Sequence, residues 1–146
     1  MDIAAGSLGK ISMAATTLYV SDLDKAIGWY RDNLGLEPAT IGADEFRFAG
    51  YLLGGVFVVL EPLEAAAEPE GAGGGNTTVN LIVEDDPAAL YDSLLARGLH
   101  CSSLSESPGF VSFLLRDLDG NRFYVTRPHS PEAEERVQRS IAESSG

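Results

Sequence analysis

Leu18-Tyr19-Val20-Ser21-Asp22-Leu23-Asp24-Lys25-Ala26-Ile27 returns 63 residues later as Leu81-Ile82-Val83-Glu84-Asp85-Asp86-Pro87-Ala88-Ala89-Leu90. Leu18/Leu81, Val20/Val83, Asp22/Asp85 and Ala26/Ala89 match, and the register runs on without a gap to Gly35/Gly98 and Leu36/Leu99. Self-similarity at a fixed spacing is the signature of a duplicated supersecondary unit. Further along, Leu60-Glu61-Pro62 matches Thr126-Arg127-Pro128 at a spacing of 66, which implies a three-residue insertion in the second copy.

Each copy has the same grammar. A run rich in β-branched and aliphatic residues, 15–20 or 78–83, reads as a strand. A capped helix follows. Asp22 caps the first, whose apolar stripe is Leu23, Ala26, Ile27, Tyr30 and Leu34. Asp85 or Asp86 caps the second, with Pro87 in its first turn and Leu90, Leu94 and Leu95 as its stripe. Gly35 and Gly98 suit the left-handed conformation that closes a helix. Three short strands complete each copy, at 37–41, 45–51 and 56–61, then at 100–104, 110–116 and 122–126, with a turn at Asp119-Gly120-Asn121. The expected fold class is therefore α+β, two tandem βαβββ modules. One domain spans 1–128, with module one at 13–62, a linker rich in Gly, Ala, Pro and Glu at 63–76, and module two at 77–128. Residues 1–12 read as loose. The tail 129–146 is polar, and Ser130-Pro131 is a start signal for a short helix.

Composition narrows the function classes. The chain has 146 residues, 45% of them hydrophobic and 22% charged, which is ordinary for one globular domain. Ten basic against 22 acidic residues leave a formal net charge of −12. Such a chain repels phosphate backbones and anionic headgroups, so the reading is no nucleic acid and no membrane, and a cationic or neutral ligand is favoured. No apolar run reaches the roughly 20 residues of a membrane span, and the N-terminus lacks the pattern of a secretory signal. The expected location is cytoplasmic. A single cysteine, Cys101, excludes an intrachain disulfide and a thiolate metal cluster.

Val20-Ser21-Asp22-Leu23-Asp24, Trp29-Tyr30-Arg31-Asp32-Asn33-Leu34-Gly35 and Asp117-Leu118-Asp119-Gly120-Asn121, set in the duplicated frame, resemble the vicinal-oxygen-chelate superfamily, also called the glyoxalase/bleomycin-resistance/dioxygenase superfamily. The resemblance covers about residues 13–128. It implies that the modules form an open, barrel-like sheet around a concave cleft, often within a homodimer. In metal-dependent members of that family, ligands come from the start of the first strand and the middle of the fourth strand of each module, as His or Gln, Glu, His and Glu. Carried over, these positions are Ala15, Val58, Thr78 and Tyr124. Alanine and valine have no donor atom, and neutral hydroxyls are poor ligands for ions that take imidazole, carboxylate or thiolate. The resemblance thus implies a metal-free member, with no cofactor, like the family's drug-binding resistance proteins. Glyoxalase, extradiol dioxygenase and thiol-transferase chemistry fall away with the metal.

Strand alternation then selects the residues of the cleft. Thr17, Tyr19, Val58, Asn80, Phe113, Arg122 and Tyr124 are the expected ligand-binding set. Aromatic faces stack a planar ligand, and Asn80 or Arg122 orients it. Each has a plainer alternative: the tyrosines as core residues, Arg122 as a partner of Asp117 or Asp119. Trp29 reads as flank packing or an interface anchor. Cys101 has no identifiable histidine–acid partner, and His100 points to the other strand face. The expected function is metal-independent binding of a small molecule, aromatic or cationic, that sequesters an antibiotic or other secondary metabolite as the family's self-resistance proteins do. The alternative is a metal-independent isomerase, lyase or cyclase acting on such a metabolite in the same cleft. No catalytic residue is assigned.

Overall fold

In the computed structural model, residues 6–42, 46–65, 77–128, 139 and 142 are described. The first module runs β1 (Ala15–Val20), α1 (Leu23–Leu34), β2 (Thr40–Gly42), β3 (Phe48–Leu53) and β4 (Val56–Pro62). The second runs β5 (Thr78–Ile82), α2 (Pro87–Ala96), β6 (Ser105–Ser107), β7 (Phe110–Arg116) and β8 (Arg122–Pro128). The strands order as β1-β4-β3-β2 and β5-β8-β7-β6, so each module is one four-stranded mixed sheet in which the first strand pairs in parallel with the last. The expected βαβββ duplication is present. Each sheet is open, with one helix on one face, α1 or α2, and among the described strands and helices of the two modules none on the other. Among the described residues no helix is long and apolar enough to cross a membrane.

Local chemistry explains the boundaries. Asp22 sits in extended backbone and accepts a hydrogen bond from the Lys25 amide, and Asp86 does the same for Ala88 ahead of Pro87. Gly35 closes α1 at φ +66°, accepting no Cβ penalty there, and its amide donates to Arg31 O while Leu36 N donates to Tyr30 O. Two expected strands are displaced. The one expected at 37–41 is confined to Thr40–Gly42, and the one expected at 100–104 shrinks to a single bridge at Cys101 while β6 forms at Ser105–Ser107. In both places the chain leaving a helix first crosses to the sheet edge, so pairing starts later than strand composition suggests. Leu95 is exposed and not part of the apolar stripe of α2. Of the linker expected at 63–76, Leu63–Ala65 form a single 3-10 turn; residues 66–76, and the helix start expected at Ser130-Pro131, lie outside the described residues.

The core lies between helices and sheets. Leu18, Val20, Leu23, Ala26, Tyr30, Tyr51, Val58 and Leu60 fill it in the first module, and Val79, Phe113, Leu115, Phe123 and Val125 in the second. Each such large apolar side chain contributes about 1.5–3 kcal/mol on burial. Tyr30 joins the two halves. Its ring meets Phe123 edge-on at 6.1 Å, and its hydroxyl donates to buried Asp117 Oδ2 at 2.7 Å. Asp117 also accepts from Asn121 Nδ2, and its Oδ1 takes the amides of Asp119 and Asn121 at 2.8 and 2.9 Å. Asn121 Nδ2 reaches Tyr19 O, and Asp119 Oδ1 accepts from Ser21 N. The Asp-Leu-Asp-Gly-Asn turn is thus a latch that docks the second module on the end of β1. Burial, then the charge of Asp117, drives the Tyr30 hydroxyl far above its ordinary pKa, so it remains a donor.

Candidate functional site

The helix-free faces of the two sheets are the candidate site. Which residues occupy them follows from strand register. In module two, Thr78, Asn80 and Ile82 of β5 lie beside Arg122, Tyr124 and Thr126 of β8. Their neighbours in sequence, Val79, Phe123 and Val125, are buried in the core on the helix side. Tyr124 is 42% exposed, so its ring stands on the open face. In module one, Leu18 and Val20 are buried against α1, which turns Thr17 and Tyr19 to the open face. Five of the seven expected residues, Thr17, Tyr19, Asn80, Arg122 and Tyr124, therefore lie on open faces.

The other two do not. Val58 pairs with Thr16, and Leu60 with Leu18, so both share the helix-covered face, and Val58 is 0% exposed. The open face of β4 carries Phe57, Val59 and Glu61 instead. Ala15 pairs with Phe57, and Thr78 with Arg122, so β4 and β8 correspond at a spacing of 65, not 66. Val58 is the counterpart of Phe123, and Val59 is the counterpart of Tyr124. The Leu60-Glu61-Pro62 match to Thr126-Arg127-Pro128 misplaced the register by one residue, and a slip of one turns a side chain through the sheet. Phe113 is corrected for a similar reason. It pairs with Val125, is 1% exposed and meets Tyr91 of α2 edge-on at 5.5 Å.

Phe113 instead helps line a cavity of about 330 Å³ on the helix side, between the end of α1 and α2. Leu34, Leu53, Leu90 and Leu94 are among the other residues of its wall. Arg97 reaches across by donating from Nη1 to Asn33 O at 2.7 Å. Sequence reading missed this space. Its only signal was the run of leucines at the ends of both helices, which reads equally well as solid core.

The register correction sharpens the test for a metal. The four positions become Ala15, Val59, Thr78 and Tyr124, two aliphatic side chains and two neutral hydroxyls. Among the described residues no three His, Cys, Asp or Glu side chains gather as a ligand cluster. The donor set does not fit a transition-metal ion, and no chemical step is routed through one. Cys101 offers no nucleophile in its place. It pairs with Leu115, which puts it on the helix side, and burial pushes its thiol above the usual range. Trp29 packs edge-on against Tyr30 at 5.3 Å, half-buried on the flank of the core.

Electrostatics on the open faces differ from the expectation for Arg122. Neither Asp117 nor Asp119 pairs with it. Asp117 is turned into the latch, Asp119 Oδ1 is held by Ser21 N, and Arg122 Nε is buried without a hydrogen-bond partner. In module one the Phe57 ring packs against Gly50, whose missing side chain makes room for it; a Cβ there would clash with Phe57 Cζ and Cε1.

A family model described as Glyoxalase/Bleomycin resistance protein/Dioxygenase superfamily matches residues 12–125. The chain belongs to this superfamily. Solved structures of the glyoxalase/bleomycin-resistance superfamily share its fold. A member from Sphaerobacter thermophilus is 24% identical with a TM-score of 0.68, covering 80% of this chain and 97% of its own. A lactoylglutathione lyase from Agrobacterium tumefaciens is 21% identical, with a TM-score of 0.64 over 80% of this chain and 92% of its own. An antibiotic binding protein from a Streptomyces species is 20% identical, with a TM-score of 0.64 over 81% of this chain and 96% of its own. At these identities the likeness to each shows the glyoxalase-superfamily fold alone. Among curated proteins none matches the chain.

Proposed function

We propose that this superfamily member is a metal-independent small-molecule-binding protein. It sequesters an antibiotic or other secondary metabolite on the open faces of its sheets, in the cytoplasm, as a self-resistance device. The observation that carries the reading is Tyr124. A large aromatic side chain stands exposed, between Asn80 and Leu114 on neighbouring strands, at the position where a metal-dependent relative carries a carboxylate. Exposed aromatic and apolar side chains interleaved with a few polar groups are the composition of a ligand site. That the same fold is found in an antibiotic binding protein supports the assignment. Sequestration demands affinity and no turnover, in keeping with a face that offers neither a metal donor set nor an activated nucleophile.

A planar ligand stacked on Tyr124 gains roughly 25 cal/mol for each Å² of apolar surface buried, and each ~1.4 kcal/mol is tenfold in affinity. The test is a panel of aromatic antibiotics titrated into the protein, followed by denaturation and mass spectrometry of the ligand. Stoichiometric binding with unmodified ligand recovered supports sequestration. Binding weakens about tenfold in Tyr124→Ala and is unchanged in Leu94→Phe, which narrows the helix-side cavity. The reverse pattern moves the site to that cavity and overturns the assignment. Turnover to a product, lost in Tyr124→Ala, replaces sequestration by catalysis.

The working unit is proposed to be a homodimer. Exposed Leu52 and Ile82 on the open faces, and the unpaired edges of β2 and β6, are surfaces that a second copy would cover. Light scattering should report twice the chain mass; a monomer at high micromolar concentration refutes it.

A further inference from the structure

The charge on the open face of the second sheet runs against the charge of the chain. Arg116 and Arg122 are direct cross-strand partners on β7 and β8. Beyond β7, Cys101 bridges Leu115, and Arg116 N donates to His100 O at 3.0 Å, so His100 is the next residue along this row. Strand alternation turns His100, Arg116 and Arg122 to the same face, with Thr78 closing the row on β5. Like charges placed directly opposite on adjacent strands are destabilising. Nothing described offsets them: neither arginine makes a side-chain hydrogen bond or ion pair with a described residue. The described part of this open face has no carboxylate, since Glu106 pairs with Val111 and shares the other side. Asp117 is saturated in the latch. Asp119, the other nearby carboxylate, bonds Ser21 N through Oδ1, and its Oδ2 makes no bond to Arg122.

The next row across the same face is Leu114, Tyr124 and Asn80. A cationic row thus borders an aromatic and apolar one, a strand's repeat of two residues away. A guanidinium presents paired N–H donors in a fork that matches a carboxylate. We propose that the ligand of this face is an aromatic carboxylate, its carboxylate seated on Arg116 and Arg122 and its ring system lying over Leu114 and Tyr124. The inference rests on the ligand-binding reading above and reverses the cationic ligand that net charge alone suggests. The reversal has a physical reason. Exposed charges are screened beyond about 8–10 Å at physiological salt, so the groups lining a site outweigh a net charge of −12 spread over the whole chain.

The experiment titrates the full chain with 2-naphthoate and with its neutral analogue 2-naphthamide, by calorimetry in phosphate-free buffer. The wild type should bind naphthoate about tenfold or more tightly than the amide, the scale of a charged hydrogen-bonded contact. Arg122→Gln and Arg116→Gln should each erase most of that preference, weakening naphthoate about tenfold and the amide by much less, and Tyr124→Ala should weaken both probes. Equal affinity for the two probes in the wild type, with both weakened by Tyr124→Ala, overturns the carboxylate assignment and leaves the binding site standing. Failure of both probes to bind at millimolar concentration overturns both. Melting without ligand supplies a separate readout. Removing one of two opposed like charges should leave the melting temperature of Arg122→Gln equal to or above the wild type; a fall of several degrees assigns Arg122 to the fold and refutes its role in recognition.

Discussion

The two modules share a backbone plan, and the chemical character of their residues diverges on one of the two faces. On the helix side, equivalent positions keep the same character: Leu18 and Leu81, Val20 and Val83, Val58 and Phe123, Leu60 and Val125. On the open side they diverge. Phe57 corresponds to Arg122, Val59 to Tyr124, Leu52 to Arg116 and Gly50 to Leu114. The apolar row Leu52–Phe57–Ala15 of module one is thus the counterpart of the basic row Arg116–Arg122–Thr78 of module two. Packing against a helix constrains one side of each sheet to apolar residues, because a buried position tolerates no unpaired charge, although volumes there differ, as between Ala49 and Phe113. The open side carries no such constraint, so duplication leaves it free to specialise.

The sharpest way to break this comparison is a charge on each side of one strand. Val58→Asp places a carboxylate in the core with no partner and should cost about 4 kcal/mol or more, enough to leave the chain largely unfolded. Val59→Asp, one residue along, should cost less than about 1 kcal/mol. Circular dichroism and urea denaturation read both, and equal costs would show the register to be wrong. The corresponding contrast in module two is smaller. Phe123→Ala opens a cavity beside Tyr30 and should cost about 3–5 kcal/mol, whereas Tyr124→Ala should cost under about 1 kcal/mol because its ring is exposed. A Tyr124→Ala loss as large as that of Phe123→Ala would place Tyr124 in the core.

The smallest effect addresses what holds the modules together. Tyr30→Phe removes one of the four hydrogen bonds to Asp117 and keeps the ring contact with Phe123. The remaining donors still satisfy the carboxylate, so the expected cost is about 1–2 kcal/mol, with ligand binding retained. An unchanged stability would show that the ring contact, and not the hydrogen bond, joins the halves.

Much of the scaffold was legible because its signals are local. The Asp22 cap, the Gly35 closure, the β1 alternation and the 63-residue repeat are each written within a few residues, and each is found where expected. The candidate site was legible in part. Thr17, Tyr19, Asn80 and Tyr124 follow from alternation in strands whose buried partners are unambiguous. Val58 does not, because Phe57-Val58-Val59-Leu60 is apolar throughout and alternation has nothing to alternate between. Only the pairing of β4 with β1 distinguishes its faces. Phe113 is misread for the same reason within Phe113-Leu114-Leu115.

The sequence by itself determined the duplication, the βαβββ order, the helix boundaries and the lack of imidazole, carboxylate or thiolate side chains near the ligand positions, since all of these depend on residue type and short-range spacing. The tertiary structure alone decided which face β4 presents, the docking of the Asp117 turn on Tyr30 and β1, the cavity between the helices, and the row that brings His100, Arg116 and Arg122 together. Those depend on contacts between residues far apart in the chain, where a shift of one position exchanges core for surface and no local preference opposes the exchange.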